Sequence, residues 1–108
     1  MPEMINARYA HAAVFHSGTL YICGGREYGD DETGILSACE KFDSSAGKWK
    51  ILPNMQYPRS GGAAVFYGEH LYAFGGYTGK GERSRVIESY HEGDSSWRKL
   101  PYRLHDGI

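Results

Sequence analysis

No apolar run in the 108 residues approaches the roughly 18 consecutive residues of a membrane-spanning helix. The N-terminus lacks the charged-then-apolar pattern of a secretory signal, and no Asn-x-Ser/Thr acceptor occurs. These gaps argue against a membrane partner and for a cytoplasmic chain. Cysteine is scarce. Cys23 and Cys39 fit a reducing compartment as small buried thiols, with a bridge between neighbouring strands as the lesser alternative. Neither sign of charge dominates: 12 Lys and Arg against 13 Asp and Glu leave a net charge of −1. Nucleic acid and anionic surfaces are recognised by a basic patch, so nucleic acid is not an expected partner.

Chemical motifs are equally thin. His11, His16, His70, His91 and His105 show no zinc-ligand spacing with a paired cysteine motif. His11 falls on an inner strand and could line a channel, but a satisfied, solvated side chain is the plainer reading. The stretch GGYTGKGE hints at a phosphate loop, yet Gly81 follows Lys80 where Ser or Thr is needed, and no helix follows. Asp30, Asp31 and Glu32 are adjacent rather than alternating, which suits calcium poorly. No catalytic residue, metal or cofactor is expected. No window sustains a 3.6-residue apolar period, so no helix of useful length is expected either.

Glycine and tyrosine are abundant, with 15 and 9 residues. They fall in short blocks, which indicates many turns and short strands. Those blocks recur. Pro2–Gly25 aligns with Pro53–Gly76 at an offset of 51, with 11 of 24 positions identical. A loop of unequal length follows: 15 residues from Gly25 to Glu40, but 12 from Gly76 to Glu88. The phase then locks again. Glu40, Phe42, Trp49, Leu52 and Pro53 align with Glu88, Tyr90, Trp97, Leu100 and Pro101 at an offset of 48. Confining the length change to one loop is the mark of a repeated structural unit.

Each unit reads as four strands. The first strands are Ala10–Phe15 and Gly61–Phe66, built of small residues suited to close packing. The second are Leu20–Cys23 and Leu71–Phe74, continuously apolar as in a strand buried on both faces. The third are Leu36–Asp43 and Val86–His91; the fourth are Lys48–Leu52 and Ser96–Leu100. Gly24, Gly25, Gly75 and Gly76 end a buried strand where the chain turns out beside a neighbouring backbone. Trp49 and Trp97 each stand three residues before a Leu-Pro pair and are expected to seal one sheet against the next.

The ordered set of Arg, a small apolar strand, Leu-Tyr, Gly-Gly, a variable loop, Glu-x-aromatic and Trp-x-x-Leu-Pro resembles the kelch repeat. It occurs twice in phase, over residues 2–101, at the period of roughly 50 residues typical of that repeat. The resemblance implies an all-β fold of two four-stranded antiparallel blades, a partial β-propeller. Residues 1–53 would form the first blade, 54–101 the second, and 102–108 a tail. Kelch propellers usually have about five to seven blades, and repeats normally need about three units to bury their faces. Two blades leave two faces uncovered. The chain starts and stops at nearly the same phase of the repeat. It therefore reads as a piece of a longer propeller or a truncated product, ahead of a homo-oligomer that closes the ring.

The resemblance also implies a non-catalytic interaction module with a protein or peptide partner. Either the recognition part of a ubiquitin-ligase adaptor or a cytoskeletal scaffold fits; neither a BTB nor an F-box domain fits within 108 residues. The alternative is part of a kelch-propeller enzyme, of oxidase or epimerase type, acting on a small molecule. Binding is expected on the face of the variable loops and the linker: Arg26–Gly34, Asn54–Ser60 and Tyr77–Arg85. Two readings of those loops stay open. They are solvated, with ion pairs worth under ~1 kcal/mol, or Arg26, Lys80, Arg83 and Arg85 grip an acidic peptide while Tyr28 and Tyr77 supply rigid contact area. Tyr9 and Ser60 stand at the strand mouth, where a ligand could reach them. Arg8 and Arg59 recur at one phase and are expected to be structural, bonding carbonyls or the equally repeated Glu40 and Glu88.

Overall fold

The structure, a computed structural model, describes residues 11–26, 34–79 and 82–103. Two four-stranded antiparallel sheets carry the two repeats. The first has the order β1-β2-β3-β4, with β1 Ala12–His16, β2 Thr19–Cys23, β3 Cys39–Asp43 and β4 Lys48–Leu52. The second has β5 Ala63–Tyr67, β6 His70–Phe74, β9 Val86–His91 and β10 Arg98–Arg103, in the order β5-β6-β9-β10. Between β6 and β9 lies a small hairpin of β7 Tyr77–Gly79 and β8 Glu82–Arg83, which periodicity did not indicate.

Local chemistry explains the boundaries. The first hairpin turns through Ser17 and Gly18 (φ 50° and 80°), the second through Gly68 and Glu69 (φ 55° and 70°). Two positive φ values in a two-residue turn match the right-handed twist of the strands. β5 begins at Ala63 rather than Gly61, because Gly61 sits at φ 75°, outside the strand region. β3 begins at Cys39 rather than Leu36, because the backbone just before it is engaged elsewhere. Leu36 donates to Gly25 O, and Leu36, Ser37 and Ala38 accept from Arg59, Met55 and Gly24. β10 begins at Arg98, after a bend at Ser95 and Ser96, and runs on through Tyr102 and Arg103.

The register sorts each sheet into two faces, since directly opposed residues share a side. Val14, Tyr21, Cys23, Cys39 and Leu52 face the second sheet. Ala64, Phe66, Leu71, Ala73, Tyr90 and Trp97 come back to meet them, with Met55 of the linker at one end. β6 therefore alternates between buried and half-buried positions instead of being buried on both faces. Both cysteines are free thiols in this layer.

The two tryptophans differ. Trp97 is 1% exposed, tilts against Tyr90 and donates from Nε1 to Pro53 O at 2.9 Å. Trp49 is half-buried against Phe42 on the opposite face of its sheet. Only Trp97 therefore seals the two sheets; the side that Trp49 would seal has no facing sheet among the described residues.

A buried ion pair joins the linker to the second sheet. Arg59 is 3% exposed and Glu88 is fully buried, with Nη2 to Oε2 at 2.9 Å. Arg59 Nη1 also donates to Gly75 O (2.9 Å) and Ser84 Oγ (3.0 Å). Glu88 further accepts from the backbone N–H of Gln56 (2.6 Å) and Tyr57 (3.1 Å). The Arg59 backbone reaches the first sheet: its O accepts from Gly25 N at 2.6 Å, and its N donates to Leu36 O at 3.0 Å. One residue thus holds both blades. Gly24 lies against that residue. A Cβ there would stand 2.5 Å from Arg59 O, and its φ is 71°. In the second repeat a Cβ on Gly76 would meet Gly62 N at 2.9 Å.

A second bridge closes the far end. Tyr21 Oη donates to Glu92 Oε1 (3.2 Å), and Lys41 Nζ pairs with Glu92 Oε2 (2.5 Å). Burial, followed by the Glu92 carboxylate, pushes the Tyr21 phenol up to about 12.

Three outcomes are expected. Glu88→Gln or Arg59→Met leaves a buried charge unpaired and lowers stability by about 3–5 kcal/mol in urea unfolding. The double variant does not recover fully, because the amide introduced by Glu88→Gln keeps one acceptor oxygen and turns an NH2 donor toward the other of the Gln56 and Tyr57 N–H groups; full recovery would show that the pair alone matters. Gly24→Ala destabilises by more than the ~1–2 kcal/mol of a left-handed alanine. Gly47→Ala, at φ 68° with open space around it, costs only that backbone term. Because the folded chain raises the Tyr21 pKa, its contribution is fully present below pH ~10 and is lost as pH rises towards about 12. Tyr21→Phe should therefore flatten the alkaline limb of a stability–pH curve.

Candidate functional site

The two hairpin turns close one end of the sheets. The Gly-Gly corners, the linker and the small hairpin gather at the other. There the backbone forms a continuous mesh. Arg26 bridges Ile35, and Ser60 exchanges two backbone hydrogen bonds with Tyr77, at 3.0 and 2.8 Å. Tyr77 in turn pairs with Arg83 across β7 and β8. Ser84 N donates to Gly76 O at 2.7 Å, and Thr78 Oγ1 donates to Glu82 O at 3.3 Å, which fixes the hairpin to the corner. The described parts of the second repeat's variable segment are therefore braced.

This mesh brings together residues that are far apart in sequence. The Arg26 guanidinium lies over the Tyr77 ring, 5.8 Å from its centroid. A guanidinium over an aromatic face is held by the ring quadrupole. Arg26 is half-buried, and its Nε is buried with no hydrogen-bond partner among the described residues. Arg83 and Arg85 are exposed, with Glu82 beside them. Arg26, Tyr77, Arg83 and Ser60 thus form one row that crosses from the first repeat to the second. Ser60 takes part through its backbone.

Tyr9, Tyr28 and Lys80 lie outside the described residues, as do Arg8 and the Asp30-Asp31-Glu32 run. Glu40, the repeat counterpart of Glu88, is 1% exposed. Among the described residues, no group of three or more His, Cys, Asp or Glu side chains is placed to hold a metal ion. No described helix is long and apolar enough to cross a membrane.

Sequence reasoning grouped the linker with the variable loops but missed how their described residues are organised. The hairpin pairs through only Tyr77–Gly79 and Glu82–Arg83, too short for alternation to register. The one available signal was the glycine at 79, which takes φ 107° as the strand ends.

Comparison with known proteins follows the same two units. The Kelch motif family model matches residues 7–56 and 58–102. Kelch-like protein 38 of Rattus norvegicus is 28% identical over 101 residues, covering 94% of this chain and 17% of that protein. Alpha-scruin of Limulus polyphemus is 35% identical over 78 residues, covering 72% of this chain and 8% of that protein. The solved structure of YjhT matches with a TM-score of 0.81 at 24% identity, over 100% of this chain and 31% of that one. The chain thus spans 17% or less of these two curated relatives. Two family matches in register with two four-stranded sheets place the chain in the kelch motif family, and its sheets are two blades of β-propeller architecture.

Proposed function

We propose that this chain is a protein-interaction module whose loop face takes an acidic peptide segment. The observation that carries the reading is the row of Arg26 on Tyr77 and Tyr77 paired with Arg83, which spans both blades. Arg85 extends it, and in sequence so do Lys80 and Tyr28. Tyr77 supplies a flat, pre-positioned surface. The exposed guanidinium of Arg83 supplies two parallel N–H donors suited to a carboxylate. Rigid aromatic area with forked cations at its edge suits an extended acidic chain better than a small molecule, which would need an enclosed pocket. Within a longer protein the module would act as the recognition part, as in a ubiquitin-ligase adaptor working in the cytoplasm.

The test is binding of fluorescently labelled, glutamate-rich peptides, followed by anisotropy. Each charge-assisted contact is worth about 1.5–3 kcal/mol, so Arg83→Glu with Arg85→Glu should weaken binding by at least about tenfold. Added salt should weaken it in the wild type as well. Both arginines are exposed, so the unfolding midpoint should stay put. Peptide binding indifferent to this double charge reversal would remove the loop row from the function.

A further inference from the structure

The two blades meet through a seam whose two halves recur on the outer faces of the two sheets. Among the described residues the exposed large hydrophobic side chains are Phe15 (68%), Ile51 (69%), Val65 (43%) and Tyr67 (78%). They fall on two faces. The register puts Phe15 and Ile51 on the outer face of the first blade, with Leu20, Phe42 and Trp49. Val65 and Tyr67 are on the outer face of the second, with Tyr72, Phe74 and Ile87.

The repeat offset relates these faces to the covered seam. Phe15 corresponds to Phe66, and Trp49 to Trp97, both of which sit in the seam on the second blade's side. Val65, Tyr67 and Tyr72 correspond to Val14, His16 and Tyr21, which form the first blade's side. Within the chain, Phe66 stacks on His16 with ring centroids 4.1 Å apart and tilts against Tyr21 at 4.8 Å. The outer faces thus carry a Phe on one side and a Tyr-Tyr pair on the other, at the matching positions.

We infer that these faces dock head to tail between copies of this chain, the outer face of one copy's first blade seating Phe15 between Tyr67 and Tyr72 of the next. The contact continues a seam the fold already makes. It also differs from that seam in a defined way. Glu92, which gathers Tyr21 and Lys41, is replaced at the corresponding position by Ser44, and Lys41 itself by Ser89. The copied seam keeps its aromatic contacts and lacks this ion pair, so it depends on apolar burial and is insensitive to salt. A head-to-tail contact is heterologous and forms a ring where the rotation closes.

Sedimentation velocity of the full chain over a dilution series tests this. The wild type should associate with rising concentration, equally at low and high salt. Phe15→Glu and Tyr67→Glu should each lose that association while keeping the wild-type circular dichroism spectrum, since both side chains are exposed. Mixing the two variants should restore a two-chain species. The first retains an intact second-blade face and the second an intact first-blade face, so one good seam can form. Non-specific apolar aggregation would not show this complementation. A wild type that stays monomeric at every dilution, or a mixture that stays monomeric, overturns the inference; further blades of a longer protein are then the occupants.

Discussion

Glu88 accepts three hydrogen bonds in a site with no access to water: two from the linker backbone and one from Arg59. Arg59 spends its remaining guanidinium contacts on Gly75 O and Ser84 Oγ, and its own backbone on Gly25 and Leu36 of the first blade. The two sheets share one apolar seam, and the linker that crosses it is pinned at both ends. A buried carboxylate can be tolerated only where its acceptor capacity is met, so the pair specifies one path for residues 55–60 over the second sheet. The corner glycines follow from that path, because Arg59 O comes too close to position 24 to admit a Cβ.

The same path generates the loop face. Once Arg59 is fixed, Ser60 is in place to pair with Tyr77, and Tyr77 is in place beneath Arg26. The buried ion pair and the proposed recognition surface are coupled through adjacent residues of one strand-to-strand connection. The buried arginine orders the backbone, and the next residue carries that order to the rim. The proposed peptide surface is therefore pre-organised, which reduces the ordering cost of binding.

Repetition leaves a second trace. Each blade carries both halves of one seam, and the seam between the two blades uses one of each. The other halves are also written in apolar residues, which explains why the exposed hydrophobic side chains among the described residues sit where they do. Sequence drift has altered the polar trim of the seam, at Lys41 against Ser89 and at Glu92 against Ser44, more than its aromatic centre. Dense packing constrains the centre, whereas solvent at the rim tolerates exchange.

The repeat, the strand count, the antiparallel pairing and the loop face could all be read from residue order, because they depend on period, spacing and turn chemistry within about fifty residues. Strands such as Lys48–Leu52 and Val86–His91 are flanked by clear turn signals, and their limits coincide with those read from sequence. The start of β3, the β7–β8 hairpin and the unequal burial of Trp49 and Trp97 were not legible. Each depends on what lies opposite: the linker backbone on Leu36–Ala38, Ser60 on Tyr77, and a second sheet on Trp97 alone. By itself the sequence determined that there are two blades and which residues each must bury. Tertiary structure alone decided which copy of each repeated side chain is covered, because burial depends on a neighbouring sheet and identical positions in two repeats do not share the same neighbour.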